Sequence, residues 1–594
     1  MVAISDVLSK ESVYFKEAVD FFEQFSWIFD FPNTDILVKD VLSQISPAWS
    51  SVFSSMTDDE IDQYPVQLFT KSTWPLDLQN FTKKCKQYQL CIEQYSGAAP
   101  VKLPGALQRG VGKKKMHEIS ILSSLINEKC NEKNIKCLVD IGSGVGYLDE
   151  ILVYHYDFNV IGLECDQSKI DGALTRIEKQ NTKNKVEYKG KLKYICTYIT
   201  HKSISCERNP LIENAIVHIS APNNVPKDCS AIVYNKTNKK KHETNGINEK
   251  QASFQSLDNN ERNISDVTNK ETKDQNMFFN SVDANENISQ FDNSDNEKTQ
   301  VNSIVSKHDT SSIALHNDPY CFIGLHTCGD LSISVIQHFF SLPLAQQLIY
   351  IPCCYHKLKC LETVDNFPQD RLSPIVNQST INFTSTNESG ANFPPHNIKR
   401  GISSSLGKVS FANFPLSRSL RICYQGKDFL SVPFLRLAAQ ETAQAWCHYS
   451  KEQKDEKVYQ LLFRSVLQLY AARENVKLLK KGRRPVKINH ISSQDTHTLI
   501  NASVDSFDLK CVKTGTRVDW KPSVLTQLWA DNVSKVPLVR TLLILQNSLQ
   551  GSAESLILLD RFKFLLEAGL TRVELLQIFD ERISPRRYCF VVSK

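Results

Sequence analysis

The sequence lacks an excess of charge, an uncharged apolar run long enough to span a membrane, and the dense cysteine framework of small secreted domains. The sequence has 70 Lys and Arg residues and 65 Asp and Glu residues. The net charge of +5 excludes a basic surface over the whole protein that would bind nucleic acid non-specifically. Its 17 cysteines are spread along 594 residues, which favours free thiols in a reducing compartment. The first residues include acidic ones where a secretion signal would be basic. We therefore expect a cytoplasmic or nuclear protein with no membrane partner.

The chain also lacks Pro, Trp and Cys between residues 230 and 310, where Asn, Ser, Asp, Lys and Thr predominate. Such a segment has too little apolar area to offset the entropy lost on ordering. Composition and periodicity together predict a helical N-terminal region over 1–107, the first part of an α/β domain over 108–200, a disordered polar insertion over 201–312, the second part of that domain over 313–360, a polar loop insertion over 361–410, a helical insertion over 411–550, and a C-terminal helix and hairpin over 551–594. In the first of these segments, Trp27, Trp49 and Trp74 are predicted to pack in a core.

Strand and helix patterns alternate in the α/β domain. Buried strands are predicted from continuous apolar runs at 137–141, 159–164, 319–325 and 347–351, with amphipathic helices between them. Another strand is predicted at 193–200, and an antiparallel hairpin is predicted from the runs at 571–579 and 587–592. The alternation predicts a mixed seven-stranded sheet that is covered by helices on both faces.

A glycine-rich turn follows the first predicted strand, with the sequence Asp140-Ile-Gly-Ser-Gly-Val-Gly146. A dinucleotide fold would require Gly-x-Gly-x-x-Gly, so the NAD dehydrogenase interpretation is weakened. The acid two residues before the first glycine instead resembles motif I of class I methyltransferases that use S-adenosylmethionine (SAM). Glu164 lies 18 residues past Gly146, at the end of the second strand, where a carboxylate can accept both ribose hydroxyls. We favour a cofactor site over a purely structural turn.

The later motifs make the resemblance more specific. They are Lys114-Lys-Met-His-Glu118, Gly324-Leu-His-Thr-Cys-Gly-Asp-Leu331, Cys353-Cys-Tyr-His356, Phe414-Pro-Leu-Ser417, Leu558-Leu-Asp-Arg561 and Ser584-Pro-Arg586. Their order resembles the methyltransferase-like protein 25 family, including protein 25B. The resemblance implies a Rossmann-like class I methyltransferase sheet that ends in an antiparallel hairpin. The chain departs from the family pattern at Val111-Gly112, where Met-Ser is usual, and at Val145, where a lysine is usual.

The same resemblance implies an enzyme that uses SAM. The cofactor-binding residues would be Lys114, His117, Asp140, Gly142, Ser143, Gly144, Gly146 and Glu164. RNA is the favoured substrate, because the family is distantly related to RNA methyltransferases, and protein is the other candidate. A catalytically silent relative that serves as an RNA-binding or protein-binding scaffold is the alternative function. The oligomeric state is not predicted.

Candidate catalytic residues lie after the fourth and fifth predicted strands. They are His326, Cys328, Asp330, Tyr355 and His356. His326 or Asp330 could accept a proton from the nucleophile, while Tyr355 or His356 orients the substrate. The Asn/Asp-Pro-Pro-aromatic motif of many exocyclic amine methyltransferases is missing.

The cysteines at these strand ends leave further interpretations open. Cys328 or Cys353 could act as a covalent nucleophile toward a pyrimidine ring. A zinc site could instead be formed from His326, Cys328, Cys353, Cys354 and His356. Thiols that pack as small apolar groups are favoured over both interpretations, so no metal is predicted.

Overall fold

The computed structural model describes residues 4–92, 94–97, 99–103, 105–108, 110–184, 191–200, 318–361, 410–481 and 496–594. The predicted disordered insertion and most of the predicted polar loop fall outside the described residues. Within them, no helix combines the length and the apolar character that crossing a membrane requires.

A seven-stranded sheet forms the centre of the α/β domain, in the order β11-β12-β5-β4-β1-β2-β3. Its strands are β1 Cys137–Ile141, β2 Asn159–Glu164, β3 Leu192–Cys196, β4 Tyr320–Cys328, β5 Ala345–Cys353, β11 Arg572–Gln577 and β12 Tyr588–Ser593. Strands β1 to β5 pair in parallel, whereas β12 runs antiparallel to both β5 and β11. The predicted mixed Rossmann-like sheet with a C-terminal antiparallel hairpin is confirmed.

Alternate residues of the central strands face two different layers. Leu138, Val160 and Ile323 belong to a core with apolar residues of helices α7 and α8. Val139 and Phe322 belong to the opposite core with helix α10 and with the helices of the N-terminal and later segments. Because both faces are covered, the central strands carry continuous apolar sequence. These helices are α7 Lys113–Glu132, α8 Tyr147–Tyr156, α9 Gln167–Asn184 and α10 Leu331–Ser341.

The remaining helices form one helical body from two distant parts of the chain. Its helices are α1 Ile4–Ser9, α2 Glu11–Gln24, α3 Pro47–Ser55, α4 Asp58–Gln67, α5 Leu76–Gln87, α11 Arg418–Tyr424, α12 Val432–Ala438, α13 Ala443–Cys447, α14 Lys451–Glu474, α15 Thr496–Ser506, α16 Pro522–Asn532 and α17 Val536–Glu567, while the short α6 Gly105–Gln108 precedes α7. Phe22 of α2 lies 5.1 Å from Phe434 of α12 between ring centroids. Trp49 and Trp74 are buried and Trp27 is partly buried in the same core, which confirms their predicted packing role.

Helix α17 crosses the predicted segment boundary at 550. A Cβ added to Gly551, in the interior of this helix, would lie 2.8 Å from the side-chain Nε2 of Gln89. The glycine therefore permits a close contact inside a continuous helix. The segment predicted as a helical insertion also contains a three-stranded sheet of β8 Val476–Lys480, β9 Phe507–Cys511 and β10 Arg517–Val518. A separate two-stranded sheet is formed by β6 Cys360–Leu361 and β7 Ser410–Phe411.

Candidate active site

The strand order reverses at β1, the position at which open α/β sheets form a ligand crevice. From β1 the chain proceeds through β2 and β3 to one edge, and it then returns to place β4 and β5 on the other side of β1. Ligands of open α/β sheets bind at such a switch point, outside the carboxyl ends of the strands. The glycine loop follows β1, and the segment from His326 to Cys328 ends β4, so the two main sequence motifs meet at this crevice.

The glycine loop has a backbone that only glycine adopts without strain. Gly142, Gly144 and Gly146 have φ values of 79°, 62° and 73°. A Cβ added to Gly146 would lie 1.9 Å from the hydroxyl of Tyr194, so the space beside this glycine is occupied by that side chain. A Cβ added to Gly144 would meet only the Gly142 carbonyl, at 4.0 Å, among the described residues. The described residues therefore leave open space at Gly144.

The carboxylate of Glu164 faces this loop. Its Oε2 accepts a hydrogen bond from the Gly144 amide at 2.9 Å, and its Oε1 accepts one from the Asp166 amide at 3.1 Å. Lys169 forms an ion pair with Oε1 at 3.1 Å from a half-exposed side chain. Burial alone would raise the pKa of Glu164, but the hydrogen bonds from Lys169 and Asp166 hold it below its usual value. The group therefore presents an anionic acceptor beside the glycine loop.

Two buried carboxyl groups, Asp140 and Asp149, contact each other beneath the loop. Burial raises the pKa of Asp140 to about 6, and burial together with the charge of Asp140 raises the pKa of Asp149 well above its usual value. Two carboxylates cannot donate to each other, so the contact is a hydrogen bond only when one of them holds a proton. Among the described residues, Oγ of Ser143, Oδ1 of Asp140 and both carboxyl oxygens of Asp149 are buried without a hydrogen-bond donor, so a proton held by the pair is the hydrogen that can join the two carboxyl groups.

His326 forms a dyad with a carboxylate that the sequence analysis did not assign to the site. Its Nε2 lies 3.0 Å from Oε2 of Glu118, a residue of α7 that is 1% exposed. Burial would raise the pKa of Glu118, but the hydrogen bond and charge of His326 lower it to about 2. The ionised Glu118 can only accept, so Nε2 donates and Nδ1 is the basic nitrogen of the neutral ring.

The backbone of β4 is distorted where His326 emerges. Pairing with β5 is interrupted between Gly324 and Thr327, and His326 has a φ of 65°. Bulges of this kind re-aim a side chain at a strand end, and residues held in unfavourable backbone conformations cluster at functional sites. A signal for Glu118 is present in the sequence, since it precedes Leu122 by four residues on the apolar face of α7.

Lys114 and His117 contact groups other than the glycine loop. Nζ of Lys114 lies 3.7 Å from Oε1 of Glu118. Nε2 of His117 accepts a hydrogen bond from the Asp580 amide at 3.1 Å, in the turn of the C-terminal hairpin. These contacts connect α7 to the His326 dyad and to the hairpin, and cofactor binding by Lys114 and His117 stays a prediction.

Two of the predicted catalytic residues make structural contacts. Oδ2 of Asp330 accepts a hydrogen bond from the Lys359 amide at 2.8 Å, and Oδ1 accepts one from Nδ2 of Asn413 at 2.8 Å. The buried hydroxyl of Tyr355 donates to Oε1 of Glu554 at 3.1 Å. Asp330 thus holds neighbouring loops, and Tyr355 joins β5 to α17; a catalytic role for either stays a prediction.

Three thiols converge at the ends of β4 and β5. Sγ of Cys328 lies 3.1 Å from Sγ of Cys353, and Cys354 completes a group whose sulfur atoms all lie within 4.8 Å of one another. Hydrogen bonds from the other two thiols lower the pKa of Cys354. Cys354 has a φ of 48°, a conformation that costs of order 1–3 kcal/mol for a residue other than glycine. His356, two residues on, has a buried Nδ1 with no hydrogen-bond partner among the described residues.

The other motifs of the predicted family meet around the same sheet edge. Asp560 accepts hydrogen bonds from the amides of Leu416 and Ser417 at 2.7 and 2.8 Å, which joins two of the motifs. Ser584 donates to Oε1 of Glu118 at 2.8 Å, and Arg586 forms a buried ion pair with Glu554 at 2.6 Å. Distant sequence motifs therefore support one structural centre.

The comparisons with known proteins agree with this arrangement. Residues 114–205 and 229–361 match a family model described as a methyltransferase domain. The chain is 25% identical over 290 residues to the probable methyltransferase-like protein 25 of Mus musculus, and 25% identical over 291 residues to that of Homo sapiens. Each similarity covers 43% of this chain and 46% of the relative.

The chain thus spans about half the length of the curated relatives that it matches. No solved structure matches it. The glycine loop, the acid at the end of β2 and the motif after β4 all lie within the matched residues. The chain therefore has a Rossmann-like domain that matches the methyltransferase family model, and it is similar to the methyltransferase-like protein 25 proteins.

Proposed function

We propose that the protein is a SAM-dependent methyltransferase that acts on RNA and binds its cofactor above the glycine loop. The observation that carries the proposal is the pairing of open space at Gly144 with the ionised carboxylate of Glu164 at the sheet's switch point. SAM is a cation at its reacting end and an uncharged nucleoside at the other end, so it needs carboxylates and close backbone approach rather than a phosphate cradle.

The residues at the crevice fit such a ligand. Oε1 of Glu164 already accepts from the Cys165 and Asp166 amides, whereas Oε2, in the part of the chain that the structure describes, accepts only from the Gly144 amide and keeps an acceptor position for a ribose hydroxyl. The Oγ of Ser143, which has no hydrogen-bond partner among the described residues, offers a further polar contact next to the loop. When bound, SAM supplies an electrophilic methyl group that the acceptor atom attacks.

The His326–Glu118 dyad is suited to remove a proton from the acceptor. Nδ1 of His326 is the nitrogen that can accept this proton, while Glu118 fixes the tautomer through Nε2 and stabilises the imidazolium that forms. Glu118 is therefore a positioning residue in this proposal. General base catalysis by a positioned group contributes about 10²–10⁴-fold to the rate.

Exposed lysines around the crevice favour a polyanionic acceptor. Lys113 begins α7, which carries Glu118, while Lys357 and Lys359 follow β5, and all three side chains are exposed. A local group of cations can attract phosphates even though the whole chain has a net charge of only +5. These charges support RNA over an uncharged substrate.

Isothermal titration with SAM tests the cofactor site. Glu164→Gln and Gly144→Arg should each abolish saturable binding, the first by removing the acceptor charge and the second by filling the open space. The matched control is Lys169→Met, which removes the ion-pair partner of Glu164 but keeps its carboxylate, and it should retain binding. Equal binding by the wild type and both site variants would refute the cofactor site.

Transfer of a labelled methyl group from SAM to total RNA tests the acceptor. The double variant Lys357→Glu, Lys359→Glu should weaken RNA binding and lower the methylation rate while leaving SAM affinity unchanged. Lys510→Glu with Lys513→Glu, on exposed positions of β9 and the turn after it, is the charge-matched control. Label on protein instead of RNA would overturn the acceptor, and SAM binding without any transfer would favour a silent scaffold.

A further inference from the structure

The strand ends at β4 and β5 bring three sulfur atoms together through backbone geometry. Cys328 and Cys353 are paired residues of parallel neighbouring strands, so their side chains lie on the same face of the sheet. Simple alternation would turn Cys354 to the opposite face. Its left-handed backbone conformation instead reverses the chain, and its thiol joins the other two.

Gly329 permits the close approach of the two loops that carry these thiols. Gly329 follows Cys328 with a φ of 53°, and its amide donates a hydrogen bond to the Cys353 carbonyl at 3.2 Å. A Cβ on Gly329 would lie only 2.6 Å from the carbonyl oxygen of Lys357. The two loops that hold the thiols therefore lie against each other at backbone distance.

The sulfur separations suit a metal better than a disulfide. A disulfide bond is about 2.05 Å long, and the Cys328–Cys353 separation is 3.1 Å. Zinc–sulfur bonds of about 2.3 Å in a tetrahedron hold the sulfur atoms about 3.8 Å apart. That value lies between the 3.1 Å contact and the 4.8 Å limit of the group, so small side-chain movements suffice.

A fourth donor can come from the same turn, although only the three thiols lie within 4.8 Å of one another and the imidazole has to turn towards them to bind the ion. His356 lies two residues after Cys354 in the short 3-10 turn Tyr355–Lys357, and its buried Nδ1 has no partner among the described residues. Three thiolates and one imidazole form a common ligand set for structural zinc. His326, the other histidine of this region, is held by Glu118 and does not supply this ligand.

We propose that Cys328, Cys353, Cys354 and His356 bind one zinc ion that joins the ends of β4 and β5. Binding would displace the protons of the thiols and the ion would replace their mutual hydrogen bonds. The site would fix the loops next to His326 without taking part in methyl transfer. This inference is independent of the proposed cofactor and substrate.

Metal analysis of the purified full-length protein tests the site. We expect one zinc per chain in the wild type and less than a tenth of that in Cys328→Ser and Cys354→Asn. Asparagine tolerates the left-handed backbone at position 354, so Cys354→Asn should fold and separates metal binding from strain. Cys360→Ser, at an exposed cysteine of the same segment, is the matched control and should retain zinc.

Cobalt replacement supplies a second measurement. Co²⁺ added to metal-stripped protein should give the thiolate-to-cobalt charge-transfer band in the wild type and in Cys360→Ser, and His356→Ala should weaken its affinity for the ion. Wild-type protein without stoichiometric zinc, an unchanged cobalt spectrum in Cys354→Asn, a disulfide between these cysteines, or a different resident metal would each overturn the proposal.

Discussion

Replacing Asp149 by Asn tests whether the buried carboxyl pair holds a proton. The pKa values of Asp140 and Asp149 are both raised in the folded protein, the first to about 6. A raised carboxyl pKa means that the folded state binds more protons than the unfolded chain. Its contribution to stability is therefore fully present below the unfolded pKa near 4, and it is lost as pH rises through the folded pKa.

The expected size follows from proton linkage. One proton held by the folded state alone makes the free energy of unfolding fall by about 1.4 kcal/mol for each pH unit. The two carboxyl groups titrate as a coupled pair, so the slope above the unfolded pKa belongs to the pair and not to either residue. Between pH 6 and pH 7, the free energy of unfolding of the wild type should fall more steeply than that of Asp149→Asn, by at most about 1.4 kcal/mol, because the asparagine amide can donate to Asp140 without titrating.

The measurement is urea unfolding at a series of pH values, followed by tryptophan fluorescence. Titrating groups outside the pair contribute equally to the wild type and the variant, so they cancel in the difference. Asp171→Asn, at an exposed position of α9, is the matched control and should follow the wild-type slope. Parallel pH profiles for the wild type and Asp149→Asn would refute the shared proton.

Three further substitutions test other parts of the structure. Glu118→Gln should lower kcat about 10–100-fold with little change in SAM affinity, because it removes the charge that stabilises a protonated His326. An equal fall in SAM affinity would contradict a positioning role for Glu118. Asp560→Ala should lower the free energy of unfolding by about 2–4 kcal/mol, because the buried amides of Leu416 and Ser417 lose their acceptor. An unchanged urea midpoint would refute a stabilising role for these hydrogen bonds. Gly329→Ala should cost about 1–3 kcal/mol because its Cβ would clash with a backbone carbonyl, and wild-type thermal stability would contradict the close approach.

The sheet could be predicted from sequence because its signals are local. Each central strand is a continuous apolar run, and each intervening helix has its own periodicity, so β1, β2, β4 and β5 were identified within a few residues of their observed bounds. Glu164 was predictable for the same reason, since its place at the end of a strand next to the glycine motif follows from chain order.

The remaining features depend on contacts between distant residues. Nothing in the periodicity of α2 indicates that Phe22 meets Phe434, because amphipathic helices reveal a buried face but not the partner that covers it. The link between Glu118 and His326 spans 208 residues and arises only when α7 lies against the end of β4. The left-handed turn at Cys354 was hidden because cysteine rarely adopts it.

The shared helical body has a consequence for biosynthesis. Helices α3, α4 and α5 leave the ribosome about 500 residues before α17, the helix against which they pack. At a synthesis rate of about 5–20 residues per second, roughly 25–100 s pass between the synthesis of these helices and the synthesis of α17. During that time the nascent chain exposes the apolar surface that α17 later covers, and chaperones can bind it. Truncated chains that end before α17 should therefore accumulate as aggregates.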